Sequence, residues 1–211
     1  MGDDQTFRIV LLVGMLVFLP IGIYHRVRSQ ASREKLDRRQ EGLLILLTLR
    51  PLGLAMMAGL IAFIVSPASM AWSAVPLPVW LRWTGAVVGV LAGLLLAWTF
   101  RSHGANLTDT VVTRTKHTLI TTGPYRWIRH PLYTSVALAT VANGLVAANW
   151  FVLVTGSLAF ALLVIRCRTE EANLMARFGD EYLAYAEGTG RFLPRLRSLW
   201  SVSGGLPPGL I

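Results

Sequence analysis

Three apolar runs close to the length that crosses a bilayer constrain this chain more than any other feature. Ile9 to Tyr24 is continuously apolar, a little short of the roughly 20 residues a spanning helix needs, and Thr6 and Phe7 make up the length. Gly42 to Val65 and Trp80 to Phe100 are the second and third runs. Two shorter runs, Tyr133 to Ala148 and Phe151 to Ile165, are separated only by Asn149-Trp150. Read together they make a tight helical hairpin that extends into its polar flanks. Its small residues (Ala137, Ala139, Ala142, Gly144, Gly156, Ala159) allow close helix contact. Hydrophobic residues make up 54% of the chain and charged ones 15%, whereas about a quarter of a soluble domain is charged. The expectation is an all-α, polytopic integral membrane protein of about five transmembrane helices, forming a single domain over residues 1–211.

The formal net charge is +9, and its placement speaks for topology. From His25 to Gln40, Arg26, Arg28, Arg33, Lys35, Arg38 and Arg39 outnumber Glu34 and Asp37. Arg101, Arg114, Lys116, Arg126 and Arg129 face only Asp109 after the third. Basic residues gather on the cytoplasmic side of membrane proteins, so the N-terminus is expected outside and the C-terminus in the cytoplasm. No recognised nucleic-acid motif accompanies the charge, so no nucleic-acid partner is expected. The chain starts Met-Gly-Asp-Asp, and no small-residue cleavage site follows the first run, so that run reads as a retained helix. All basic residues but Lys35 and Lys116 are arginine, a bias that goes with GC-rich bacterial genomes and hence with a bacterial inner membrane. The single cysteine, Cys167, permits no intramolecular disulfide. With the histidines scattered, no metal site is expected at these spacings.

Two arginines break the apolar pattern. Arg50, followed by Pro51, sits inside the second run, where a central charge costs about 3 kcal/mol or more. It either snorkels to the inner surface or faces an internal polar cavity and meets an anionic group. Arg82 lies at the outer end of the third run and mildly violates the charge rule. Ser66 to Val79 reads as a short outer loop or interfacial segment, with Trp72 and Trp80 as belt residues. Residues 199–211 are rich in proline and glycine and read as a loosely held tail.

Arg101 to Leu132 is too long for a simple connector, and functional loops are the usual reason for such length. It ends in K-H-T-L-I-T-T-G-P-Y-R-W-I-R-H-P-L-Y, residues 116–133. Gly123-Pro124 reads as a turn that lets the backbone approach something closely. Pro131 suits the first turn of a helix, and His130 before it is biased away from helix. A histidine at a helix N-terminus beside Arg129 and Tyr133 is placed to meet a carboxylate. One hairpin later comes R-C-R-T-E-E, residues 166–171. Arg166 and Glu170 lie four apart, as in an ordinary surface ion pair. At the inner mouth of a span, Glu170 is also suited to an ammonium or ribose hydroxyls, and Arg166 to a substrate anion. Arg168 and Glu171 fall roughly on other faces and read as solvent or interface residues. Tyr182 and Tyr185 read as packing residues, and Gly179 as a bend. No phosphate loop, no dinucleotide fingerprint after a strand and no convincing Ser/His/Asp set appears.

These two motifs, followed by L-x-x-x-F-G-x-x-Y-x-x-Y and R-F-L-P, resemble the isoprenylcysteine carboxyl methyltransferase family and the related phospholipid methyltransferases. The resemblance covers about His117 to Pro194. It implies S-adenosyl-L-methionine as cofactor, held in a cytoplasm-facing pocket within residues 101–198, while residues 1–100 supply three transmembrane helices. Carried over by motif, His117, Thr118, Leu119 and Ile120 line the cofactor cavity and Tyr125 packs on it. His130, Pro131, Leu132 and Tyr133 contact the cofactor's polar end, and Glu170 binds it as well. Arg166 faces the substrate, with Arg50 as a second substrate-side candidate. Arg166 and His130 are the candidate catalytic residues. The family pattern usually has glycine at the position of Ser135, which leaves less room for helix approach here. The implied partners are the lipid bilayer and a lipophilic small-molecule or lipidated acceptor. The implied activity is methyl transfer to that acceptor, its nucleophile a carboxylate or an amine, as in phospholipid methyltransferases. Sterol reductases carry a similar G-P-Y…R-H-P-x-Y passage, which keeps an NADPH-dependent reductase as a further alternative.

Overall fold

The computed structural model describes residues 2–30, 43–103 and 119–195. Every named element within them is helical: α1 Gly2–Gln30, α2 Leu43–Val65, α3 Val79–His103, α4 Pro131–Ala147, α5 Trp150–Phe178 and α6 Asp180–Gly188. Among the described residues four helices are long and apolar enough to cross a membrane, and α4 is a shorter apolar helix beside them. Leucines and valines point outward along all of them, as Leu16, Leu54, Leu94 and Leu158 do. Such exposure is the arrangement of a chain whose solvent is lipid rather than water. The expected all-α, polytopic membrane architecture is what the fold shows.

Glycine decides how the central helices meet. In α3, Gly85, Gly89 and Gly93 recur every four residues and so fall along one face. A Cβ on Gly85 would stand 2.7 Å from Cβ of Leu145, and one on Gly89 3.5 Å from Cβ of Ala142. The stripe thus brings α3 onto α4, while Gly93 admits the ring of Phe18 from α1. Without a hydrophobic drive between helices in lipid, such close backbone packing is what holds them together. In α5, Gly156 lies against Thr140 of α4 and Met56 of α2.

The end of the bundle where α1 begins and the hairpin turns is a closed polar and apolar cap. Phe7, Leu11, Leu60, Phe63, Met70, Val146, Ala147 and Val152 form one buried cluster there. Arg82, read from the sequence as a violation of the charge rule, is buried within it and paired through two of its three nitrogens. Its Nη1 pairs with Asp4 at 2.8 Å, its Nε donates to the Val146 carbonyl at 3.0 Å, and its guanidinium lies over the Phe7 ring. Arg8 donates to the carbonyls of Ile64 and Val65, which the end of α2 leaves without helical partners. Trp72 and Trp80 are exposed at this end, as belt residues are.

The hairpin turns on Ala148 and Asn149. Ala148 adopts a left-handed conformation (φ 48°), and the Asn149 side chain accepts from the Val152 N–H at 3.1 Å to cap α5. Its amide also donates to Ser73 Oγ at 2.8 Å. Asn149→Ala removes the cap and takes away the donor to the buried Ser73 hydroxyl, which keeps its bond to the Met70 carbonyl, so we expect a loss of about 1 to 2 kcal/mol, read as a lower thermal midpoint in detergent. The other end of the hairpin, where α4 begins and α5 emerges, carries both motifs.

Candidate functional site

Each motif is delivered by a local rule. His130 has non-helical backbone angles (φ −123°, ψ 61°) and Pro131 opens α4, as a proline at the first helical position does. Upstream, Gly123 takes φ +62°, and a side chain on it would collide with Ser102 of α3. The close approach read from Gly123-Pro124 is therefore made to α3. A single 3-10 turn over Gly123–Arg126 follows. Tyr125 is buried, and its carbonyl accepts from the Tyr185 hydroxyl at 2.8 Å. Gly179 (φ +53°) ends α5 and lets α6 turn back, as expected of a bend there.

A strap from the far end of the chain is laid along the RHP segment. The N–H of Arg129 donates to the Gly190 carbonyl at 2.8 Å, that of His130 to Arg191 at 3.0 Å, and that of Gly190 to Trp127 at 3.1 Å. Thr134 Oγ1 donates to the Phe192 carbonyl at 2.7 Å. The Phe192 ring lies 5.9 Å from the imidazole of His130 and 6.2 Å from Phe160 of α5. The R-F-L-P ending is thus part of the site's wall.

At the centre the two motifs meet. The Tyr133 hydroxyl donates to Glu170 Oε2 at 2.7 Å. His130 stacks on the Tyr133 ring at 5.3 Å and 10°, with Nε2 3.2 Å from Glu171 Oε1 and Nδ1 4.0 Å from Glu170 Oε2. Glu171 also receives Arg129 Nε at 3.1 Å and both Nε and Nη2 of Arg191. Arg129 continues to the carbonyls of Ala186 and Thr189. Glu171, read from the sequence as a solvent or interface residue, is instead the hub that ties α5 to both the RHP segment and the strap. The reason is the strap: it brings Arg191 over a carboxylate that α5 alone would leave to water. Arg168 is exposed, as expected.

The phenols around the site are hydrogen-bond donors at neutral pH. Burial pushes Tyr185 up to about 12, and burial together with the charge of Glu170 raises Tyr125 further. Burial and then the charge of Glu171 raise Tyr182. The Glu171 carboxylate bonded to Arg191 holds that guanidinium's proton more firmly. Neutral tyrosines position; they do not take protons. That leaves His130 as the candidate proton acceptor beside the carboxylates.

The fold brings together Tyr125, His130, Pro131, Tyr133 and Glu170. Arg166 lies one helical turn before Glu170 on the same face of α5. Leu119, Ile120 and Leu132 are half-buried. His117 and Thr118 lie outside the described residues. Arg50 is exposed on α2. Gly59 abuts Phe151 and Met56 abuts Gly156, so α2 and α5 run antiparallel, and Arg50 sits roughly one to two turns deeper than Arg166. Ser135 is buried and its hydroxyl donates back to the Pro131 carbonyl at 2.9 Å, so it spends its polar group within α4.

Three features escape a reading by spacing alone. Glu171 is the first, because its partners Arg129, His130 and Arg191 all come from outside α5. The second is the contact between donors far apart in sequence: His130, Cys167 and Glu171 bring a nitrogen, a sulfur and an oxygen within 4.8 Å of one another. The third is a cleft of about 790 Å³ between α1, α2, α3 and α4. Its walls are apolar, and it runs along α4 from Val146 to Ser135, near the Tyr133 end of the helix.

Comparison with known proteins gives this arrangement a setting. Residues 85–176 match the isoprenylcysteine carboxyl methyltransferase (ICMT) family. The cobalt-zinc-cadmium resistance protein CzcN of Cupriavidus metallidurans is 38% identical over 95 residues, 42% of this chain and 44% of that protein. The human protein-S-isoprenylcysteine O-methyltransferase is 28% identical over 123 residues, 57% of this chain and 43% of that protein. A methanethiol S-methyltransferase of Mycobacterium tuberculosis is 30% identical over 70 residues, 33% of this chain and 28% of that protein. This chain therefore spans less than half the length of these relatives. A eukaryotic intramembrane Ras methyltransferase ICMT shares the fold with a TM-score of 0.54 at 22% identity, over 87% of this chain and 62% of that one.

Proposed function

We propose, from the match of residues 85–176 to the isoprenylcysteine carboxyl methyltransferase family, that this protein is an integral-membrane methyltransferase. Its methyl donor is S-adenosyl-L-methionine and its acceptor is lipophilic. The observation that carries the reading is the junction of the two motifs: Tyr133 to Glu170 at 2.7 Å and His130 to Glu171 at 3.2 Å. The donor set suits a cationic cofactor. The Glu170 side chain is one-third exposed, and its carboxylate lies beside two stacked aromatic rings, a setting that attracts sulfonium and ammonium groups.

When bound, S-adenosyl-L-methionine supplies a methyl group activated by its positively charged sulfur. Glu170, Tyr133 and His130 hold the polar end of the cofactor. Tyr125, Leu119, Ile120, Pro131 and Leu132 enclose the remainder within a cofactor region spanning residues 101–198. Direct displacement needs alignment and exclusion of water more than it needs acid–base groups. The strap residue Phe192 and the buried Tyr125 exclude water. Arg166 orients the acceptor's anionic group, and Arg50 offers a second cation deeper along the same approach. An amine acceptor gives its proton to His130. The apolar cleft along α4 takes the acceptor's lipophilic part. We place the protein in a bacterial inner membrane, with its N-terminus outside and its cofactor side facing the cytoplasm.

The family match favours methyl transfer over NADPH-dependent reduction. The acceptor is tested by incubating the purified protein with S-adenosyl-L-methionine carrying a labelled methyl group and a lipid extract. Label released by base identifies a carboxyl ester, and base-stable label an amine or thiol product. Absence of any transfer to lipophilic material, with the cofactor bound, would overturn the reading.

A further inference from the structure

We infer that His130, Cys167, Glu171 and Tyr182 form a binding site for a soft divalent cation such as zinc or cadmium. The site shares His130 with the proposed methyl-transfer reading, which uses neither Cys167 nor Tyr182.

The three donor atoms of His130, Cys167 and Glu171 lie within 4.8 Å of one another. Ligands about 2.0–2.3 Å from a tetrahedral metal stand roughly 3.5 Å apart, so the cluster closes onto an ion by small side-chain rotations. The donors come from different places in the chain, the RHP segment and one turn of α5, and are fixed there by the packing of α4 on α5. Cys167 is fully buried, but it faces this polar cluster and not the apolar core.

The second observation is independent of the cysteine. Tyr182 of α6 is 3% exposed, and among the described residues its hydroxyl has no hydrogen-bond partner. Buried hydroxyls are almost always partnered. The charge that acts on it most strongly is the Glu171 carboxylate, and Cys167 acts on it as well. A buried hydroxyl left without a partner near the Glu171 carboxylate is what a missing ligand leaves behind. It is suited to the fourth position, directly or through a water.

The surroundings select the ion. Arg129 and Arg191 hold Glu171 by its oxygens, which orients the carboxylate as supporting hydrogen bonds do around metal sites. The same guanidiniums oppose a cation. Binding must then come from the thiolate, whose proton leaves to solvent, and from the imidazole. That favours thiophilic ions over magnesium or calcium, which need oxygen ligands. Arg191, 43% exposed at its side chain, marks the way in.

The chain has one cysteine, so a thiolate-to-cadmium charge-transfer band in the ultraviolet reports Cys167 alone. The full-length protein in detergent, freed of metal by chelation, is titrated with cadmium. The band should grow and saturate at one ion per chain, disappear on adding zinc, persist in excess magnesium and be absent in Cys167→Ser. Glu171→Gln should weaken cadmium at least tenfold. If circular dichroism shows that variant unfolded, Tyr182→Phe decides, with an expected loss of several-fold. No band in the unsubstituted protein, or an affinity unchanged in the deciding variant, overturns the site. The titration uses no cofactor, so its failure would leave the methyl-transfer reading standing.

Discussion

Glu171→Ala should abolish methyl transfer and lower the thermal midpoint of the protein together. The carboxylate receives Arg129, His130 and Arg191, and its own side chain is 14% exposed. Removing it leaves Arg129 and His130, 11% and 7% exposed, without their charged partner. Such a loss costs about 3 kcal/mol when the groups cannot reach water. The strap over residues 189–192 then loses its ion pair to α5 and keeps only its hydrogen bonds to Arg129, His130 and Thr134. Glu171→Gln keeps one acceptor and should retain part of the stability. The check is thermal unfolding in detergent alongside methyl incorporation. An unchanged midpoint would show that the hub is ornamental and that α5 holds the strap by other means.

Arg166→Ala should behave in the opposite way, keeping the cofactor and losing the reaction. Arg166 lies on the α5 face that carries Glu170 one turn later, and the Tyr133–Glu170 hydrogen bond does not pass through it. Loss of one oriented charge against an acceptor anion is worth roughly 3 kcal/mol, about a hundredfold in rate. Cofactor affinity measured by equilibrium titration should change by no more than a few-fold. Loss of both binding and transfer would place Arg166 in the cofactor pocket rather than on the acceptor side.

How far the sequence carried these conclusions differs by element. The spans were legible because lipid demands long apolar helices, a requirement that shows in linear sequence. The hairpin at Asn149 and the start of α4 at Pro131 were legible because caps and prolines act within a few residues. The RHPLY segment and Glu170 could be paired because the hairpin fixes their depth. Glu171 could not be placed, since its burial depends on Arg191, twenty residues on, folding back through Gly190. Arg82 read as an exception because its partner Asp4 sits in another helix. The Gly85, Gly89, Gly93 stripe was readable by period yet easily lost in a run where every residue is apolar. Cys167 and Tyr182 gave no signal of their own. Their interest comes from what α4, α5 and α6 bring beside them.

Cofactor binding is the claim on which the rest depends. The purified protein should bind S-adenosyl-L-methionine saturably in a calorimetric titration. Glu170→Ala and Tyr133→Ala should each weaken it at least tenfold, since each removes one side of the 2.7 Å bond between the motifs. A folded protein that binds no S-adenosyl-L-methionine, or binds it equally well in both variants, would contradict the account.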